Sequence, residues 1–329
     1  MKAKMGEPTM KNRRDFILSA AAGATATLYA FPAAAGPAGD KTQTQVIGVN
    51  QRGVGDIKVT ALLDGYIQIE PSNLTGSDEA TIKTLMSKAF LSGKSVDTSI
   101  NAYVIEAGER VILVDGGAGD AFGPTGGKLG AALALAGYTP ESIDGVFCTH
   151  LHPDHVALLT DGEKARFGGA TFYTHEAEAA FWSNNDNFAG ANEQVTNFRA
   201  MALRTLLAYR DATNLVKDGE TIAPGVDIKH LPGHTPGHSG LLLSSGDASM
   251  LLWADIVHVG VMQFANPGWT IPFDADQPQA AKTRKALFDM VATDRLEVAG
   301  SHIDFPSFGH LEKAGQGYSF TPSRWDHEI

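Results

Sequence analysis

Only one cysteine, Cys148, occurs in the 329 residues, so no intramolecular disulfide can form whatever the redox compartment. It sits in the apolar run Gly145-Val146-Phe147-Cys148-Thr149 and reads as core packing, with metal ligation as the minor alternative. No apolar run is long enough to span a bilayer, since the stretch from Phe16 to about Phe31 is short and rich in Ala, Gly and Thr. Beyond Arg13-Arg14 there is no Lys/Arg run, and the formal net charge is −11, which removes the electrostatic footprint of a nucleic-acid or anionic-membrane binder. No Gly-x-Ser-x-Gly elbow is present, so no serine-hydrolase arrangement is expected. No internal repeat and no low-complexity linker follows residue 45, which favours a single domain for residues 46–329.

The beginning of the chain differs in kind. Lys2, Lys4, Lys11, Arg13 and Arg14 precede the Ala-rich stretch, and Ala33-Ala34-Ala35 offers an A-x-A cleavage site. Asn12-Arg13-Arg14-Asp15-Phe16-Ile17-Leu18 resembles a twin-arginine export signal. The expectation is a signal peptide over residues 1–35, a flexible linker over 36–45, and a periplasmic or secreted product with no membrane anchor after processing. Cleavage would remove five basic and two acidic residues and move the formal charge from −11 to −14.

The densest chemical signal is Thr149-His150-Leu151-His152-Pro153-Asp154-His155, three imidazoles and one carboxylate in six consecutive positions. Imidazole nitrogen and carboxylate oxygen suit zinc and its neighbours. In extended chain His150 and His152 point the same way, and Pro153 then turns Asp154 and His155 toward a second metal position. Three more donors end predicted strands: His234 in Pro232-Gly233-His234-Thr235-Pro236-Gly237-His238, Asp255 after Leu251-Leu252-Trp253-Ala254, and His302 after Arg295–Ala299. A carboxylate at a buried strand end is costly unless paired or metal-bound, and it can place one oxygen on each of two cations. Together these groups would fill two metals sharing a bridge. His238 reads as a supporting residue, because two imidazoles four residues apart across Pro236-Gly237 would not easily share one metal; His175, His230, His310 and His327 read as non-ligands.

Hydrophobic patterning predicts a strand over Ile57–Gly65 with a turn at its end, a hairpin of Ile100–Glu106 and Arg110–Val114, and strands at 145–149, 170–173, 226–231, 241–243, 250–253 and 295–299. Helices are predicted over 125–136, 175–182, 193–210 and 278–290. Every suspicious His and Asp thus falls at a strand-to-loop junction, the usual place for function in α/β architecture.

The order His-x-His-x-Asp-His, Gly-His-Thr-Pro-Gly-His, strand-end Asp and late His resembles the metallo-β-lactamase superfamily, and most closely its methyl parathion hydrolase and lactonase-like branch. Thr98–Tyr103, Val114-Asp115-Gly116-Gly117, Phe122–Thr125 and Phe305–His310 carry the same likeness. The resemblance implies an α/β fold, a four-layer αβ/βα sandwich. It implies that His150, His152 and His234 hold one metal, that Asp154, His155 and His302 hold the other, and that Asp255 and a hydroxide bridge them. It places Asp115 outside the ligands, orienting one imidazole, although a simple turn Asp before Gly116-Gly117 is the other reading. The implied cofactors are two divalent ions, zinc first, with manganese, cobalt or iron acceptable to the same ligands. The implied chemistry is hydrolysis of a small hydrophobic ester, lactone or phosphotriester, and relatives form homodimers. Asp154 would accept or steer the nucleophile's proton. Phe122, Trp182, Phe198, Ile67 and Ile69 match wall positions of the substrate pocket, with core packing as the alternative for each.

Three features depart from that pattern. Val156-Ala157-Leu158-Leu159 replaces the usual Gly-Gly, which is expected to alter the loop beside the substrate. Asp115-Gly116-Gly117 replaces Asp-Thr-Gly, which is expected to loosen the support of the ligands. His258 stands where homoserine-lactone hydrolases carry Tyr, and reads either as a general acid or as a pocket-wall residue. Alternative functions on the same scaffold are a β-lactamase and a di-iron or persulfide-oxidising enzyme.

Overall fold

Alternation within single strands separates three layers of core. In β3 (Val96–Ala107) Tyr103 and Ile105 face one apolar cluster while Ala102 and Val104 face another, as a side-chain period of two requires. In β4 (Arg110–Val114) Ile112 and Val114 join the first cluster and Leu113 the second. The computed structural model describes residues 45–329, of which Val46–Ile329 form one compact unit. The expected export signal and all but the last residue of the expected linker lie outside the described residues.

Two seven-stranded sheets carry the fold. The first runs in the order β1 (Val49–Val54), β2 (Ile57–Ile69), β3, β4, β5 (Gly145–Phe147), β8 (Thr171–His175) and β9 (Thr213–Val216); a two-stranded ribbon of β6 (Thr160–Asp161) and β7 (Lys164–Ala165) lies apart. The second follows chain order: β10 (Thr221–Ala223), β11 (Val226–His230), β12 (Ser239–Ser245), β13 (Ala248–Leu252), β14 (Glu297–Ala299), β15 (Gly309–Ala314) and β16 (Gly317–Pro322). Seven α-helices are described: α1 (Glu79–Lys88), α2 (Leu129–Leu135), α3 (Pro153–Val156), α4 (Glu176–Ser183), α5 (Glu193–Ala208), α6 (Gly260–Gln263) and α7 (Gln277–Asp294).

Side chains of both sheets share the central cluster, from Val59, Ile105 and Phe147 to Ile228, Leu241 and Met250. The outer face of the first sheet packs under α2 and α5 through Leu129, Leu133 and Ala202, and that of the second under α7 through Leu287, Phe288 and Val291. This is the αβ/βα sandwich. Each such buried aliphatic or Phe side chain stabilises the fold by about 1.5–3 kcal/mol relative to exposure. No described helix is long and apolar enough to cross a membrane.

Two of the boundaries that differ from the sequence reading trace to Asp64. The expected turn at Asp64-Gly65 is a bulge inside β2, which continues to Ile69. The buried Asp64 carboxylate accepts the backbone N–H groups of Ala118, Gly127 and Leu129. The bond to Leu129 N–H takes up the donor that a helix starting at Thr125 would have used for its first turn, and α2 begins only at Leu129. A Cβ on Gly65 would lie 2.0 Å from the Thr125 carbonyl oxygen, which is why that strand position has no side chain. Asp64 thereby anchors the loop that carries Phe122.

The two departures after the His run explain each other. Val156 and Leu159 turn inward to the core rather than out toward solvent. Leu159 fills the space in which a Cβ on Gly116 would sit, 2.6 Å from its Cγ. Gly116 is fixed on both sides, its N–H donating to the His155 carbonyl at 2.7 Å and its own carbonyl accepting from Leu158 N–H at 2.8 Å. The expected loosening at Asp115-Gly116-Gly117 is therefore corrected: a bulkier aliphatic and a missing side chain exchange volume at one contact.

Candidate metal centre

Strand ends deliver the donors. β5 ends at Phe147 and hands the chain to His150 and His152; Pro153 then opens α3, whose single turn presents Asp154 and His155. The β11–β12 connection supplies His234, the turn after β13 supplies Asp255, and the turn after β14 supplies His302. Ala254 adopts φ 49°, a left-handed conformation unusual for alanine, immediately before Asp255.

Two groups of donor atoms converge, His150/His152/His234 and Asp154/His155/Asp255/His302, each with its ligating atoms within 4.8 Å of one another. Asp255 lies where they meet. Its Oδ1 is 3.3 Å from His155 Nε2, while Oδ2 is 3.1 Å from His302 Nε2, 3.4 Å from His234 Nε2 and 3.7 Å from His150 Nε2. In the other group His152 Nδ1 is 3.0 Å from His150 Nε2 and 2.9 Å from His234 Nε2.

The far nitrogen of most of these rings is tied down. His155 Nδ1–H donates to Asp115 Oδ2 at 2.8 Å, His234 Nδ1–H to Asp274 Oδ1 at 2.8 Å, and His302 Nδ1–H to the Ser99 carbonyl at 2.8 Å. His150 Nδ1 meets Thr149 Oγ1, whose hydroxyl donates to Asp115 Oδ2. These bonds leave each Nε2 as a lone pair aimed inward, the tautomer a metal needs. Asp115 holds φ 65° and also accepts Thr149 N–H, so it orients ligands from behind rather than closing a plain turn. Removing it (Asp115→Ala) is expected to weaken metal binding about 10–100-fold by chelator competition.

The residues fit a pair of cations. His155 Nε2 and Asp255 Oδ1 are buried with no hydrogen-bond partner, although they lie at the centre of the group. Five carboxylates, Asp115, Asp154, Glu178, Asp255 and Asp274, and one guanidinium, Arg284, are buried around the rings. With neutral imidazoles that leaves four negative charges in low dielectric, which two divalent ions would cancel. The titration directions agree. Burial alone would raise Asp255, but the rings of His155, His302 and His150 hold it well below the carboxylate range. Burial would lower His302, yet Asp255 and Asp154 push it up to about 10, and His155 is likewise driven well above its usual value. On the other side burial and neighbouring rings press His150 and His152 toward the neutral, ligand-competent form.

The remaining candidates separate cleanly. His238 is no member of either group: its Nδ1–H donates to the Leu231 carbonyl and its Nε2 accepts Asp255 N–H at 3.0 Å, so it fixes the backbone of Asp255. His258 is buried, stacked on His302 at 24°, with Nε2 3.2 Å from Asp255 Oδ2. Ile67, Ile69, Phe122 and Phe198 line the cavity over the donors together with His258. Trp182 does not line it and is corrected to a core position: it is 2% exposed, packs edge-on behind His152 and donates its Nε1–H to Glu178. His175 and His230 stack on each other outside the cluster, and Cys148 donates its thiol to the His150 carbonyl.

Sequence reading missed Asp274, Glu178, Ile271 and Phe273. Asp274 and Phe273 lie in a loop without periodicity, and nothing short of the fold links Asp274 to His234 across 40 positions. Glu178 looked like an ordinary helical charge.

The metallo-beta-lactamase superfamily profile matches residues 96–302. The chain belongs to that superfamily. A solved structure described as the hydrolase AbOPH in the beta lactamase superfamily superposes with a TM-score of 0.80 at 32% identity, over 86% of this chain and all of that one. AidC, a dizinc quorum-quenching lactonase solved with its product, superposes with a TM-score of 0.80 at 25% identity, over 85% of this chain and 99% of that one. An N-acyl homoserine lactonase from Bacillus sp. is 23% identical over 230 residues, 64% of this chain and 83% of the relative. As a superfamily member the chain is a metal-dependent hydrolase with lactonase relatives, and its two donor groups match the two-metal arrangement.

Proposed function

We propose that the chain is an exported binuclear hydrolase that opens lactones and aryl esters, with phosphotriester cleavage as a secondary activity. The observation that carries this reading is the cavity directly over the donors. It is lined by Ile67, Ile69, Ile271, Phe122, Phe198 and Phe273 on one side and by His152, Asp154, His234, Asp255, His258 and His302 on the other, with no Lys or Arg. Such a wall favours neutral, apolar substrates and offers nothing to pair with the carboxylate of a β-lactam.

The cavity is small, about 40 Å³, so it takes the reacting carbonyl group and little more. Phe122 and Phe198, in edge contact at 6.2 Å, also border an adjoining groove of about 400 Å³ that includes Pro153 and Met201. An acyl chain or aryl group of the substrate would lie there. Two bound divalent ions, zinc in the first instance, would lower the pKa of a shared water and polarise the ester carbonyl. Asp154 Oδ2, 3.3 Å from His302 Nε2 and at the cavity wall, is placed to take the proton of the attacking water. His258, buried at the wall outside the two donor groups, would meet the departing oxygen.

A rate panel on zinc-loaded protein tests the reading. Dihydrocoumarin and γ- or δ-lactones are expected to turn over fastest, p-nitrophenyl acetate next, methyl paraoxon slowly, and nitrocefin not at all. Turnover of nitrocefin without lactone hydrolysis would reverse the assignment to β-lactamase. Export by the twin-arginine route and a homodimeric state belong to the same proposal; replacing Arg13-Arg14 by Lys-Lys should retain the precursor in the cytoplasm, and light scattering should give twice the chain mass.

A further inference from the structure

Glu178 is fully buried, lies in the first turn of α4 and faces no cation, yet its carboxylate accepts four hydrogen bonds from three parts of the chain. Oε1 takes Leu151 N–H at 2.9 Å and Trp182 Nε1–H at 2.7 Å. Oε2 takes the Thr235 hydroxyl at 2.6 Å and Gly237 N–H at 3.1 Å. Leu151 stands between His150 and His152, and Thr235 follows His234. One carboxylate therefore joins the loop leaving the first sheet to the loop of the second sheet, directly behind the three-imidazole group. The seat is built for it: a Cβ on Gly237 would lie 2.2 Å from Glu178 N, so the helix start rests on bare backbone. Trp182, held by the same carboxylate, presses edge-on against the His152 ring at 5.7 Å.

We propose that Glu178 is a positioning residue that sets the separation of His152 and His234, and so governs the affinity of the three-imidazole half of the centre alone. The inference rests on the binuclear reading above. No bond from Glu178 reaches Asp154, His155, Asp255 or His302, and the last three are held from behind instead by Asp115, His238 and the Ser99 carbonyl. All four partners of Glu178 are donors. A glutamine there has a single acceptor oxygen, and its NH₂ would face either Leu151 N–H and Trp182 Nε1–H or Gly237 N–H. The Thr235 hydroxyl can turn round to accept, but the backbone donors cannot.

The test is chelator competition on holo-protein loaded with zinc and, in parallel, with cobalt(II), comparing the unsubstituted protein with Glu178→Gln. One of the two metals is expected to bind about 10–100-fold more weakly, with a changed cobalt visible spectrum, while the other keeps its affinity. Equal weakening of both metals, or no change in either, overturns the inference. Should Glu178→Gln fail to fold, Thr235→Val removes one donor and is expected to shift the same single metal by less; loss at both metals or neither there is equally fatal. An unsubstituted protein that binds fewer than two metals defeats the binuclear reading and this inference with it. Two metals bound normally by both proteins removes the inference alone.

Discussion

Asp255→Ala is expected to lose hydrolysis by about 10³-fold or more and to copurify with less than a full pair of metals. The size of the effect follows from position. Five imidazole nitrogens, including that of His258, approach the two oxygens of this one side chain, and among the described residues no other acid pairs with rings of both donor groups. An imidazole cannot replace it, because one ring nitrogen serves one cation. The fold should survive, since Ala keeps the N–H that bonds His238 and the substitution takes a charge out of an acid-rich interior. Circular dichroism and metal analysis separate the outcomes. A well-folded Asp255→Ala protein with full turnover and two metals would sink the site. His152→Ala is expected to behave alike, since it removes one of the three rings of the other group.

Stripping the metals should abolish activity and lower the melting temperature. Ligand that binds only the folded state stabilises it by about 2.7 kcal/mol at a hundredfold excess over its dissociation constant. In a domain of this size that corresponds to roughly 4–5 °C for each site. The direction is reinforced by the buried carboxylates, which still outnumber the buried cations when His155 and His302 carry protons in the metal-free protein. Differential scanning fluorimetry with chelator, then with zinc restored, measures it. An unchanged melting temperature after verified removal would contradict the charge argument.

All seven proposed ligands were legible in the sequence because each falls where a strong apolar run stops. A buried run followed at once by His or Asp has few benign explanations, so Val146–Thr149 and Leu251–Ala254 advertised their ends. The layered sandwich was legible through the family resemblance, the hydrophobic patterning itself giving only strands and helices of α/β type. What was hidden are the groups that act through others. Asp64 looked like a turn residue and is a bulge that caps three backbone donors. Asp274 and Glu178 are carboxylates of ordinary local pattern whose bonds to the His234 ring and to Gly237 N–H span 40 and 59 positions. Trp182 was placed in the pocket by analogy of position, whereas its indole N–H has a buried acceptor that draws it into the core. Strands β1, β9 and β10 and the β15–β16 hairpin were also missed, being short or exposed at alternate positions and lacking a sustained apolar signal.

The partition of donors between the two sheets has a temporal side. His150, His152, Asp154 and His155 leave the ribosome together, but His234, Asp255 and His302 follow only as the second sheet is made. A nascent chain ending before residue 302 thus holds at most a partial chelate, which captures ions weakly and releases them readily. On the two-metal reading, tight loading is expected only once β14 has docked beside β13 and the turn after it has closed on Ser99. Metal retention is therefore a certificate of completed synthesis, and a truncated product would announce itself by being metal-poor.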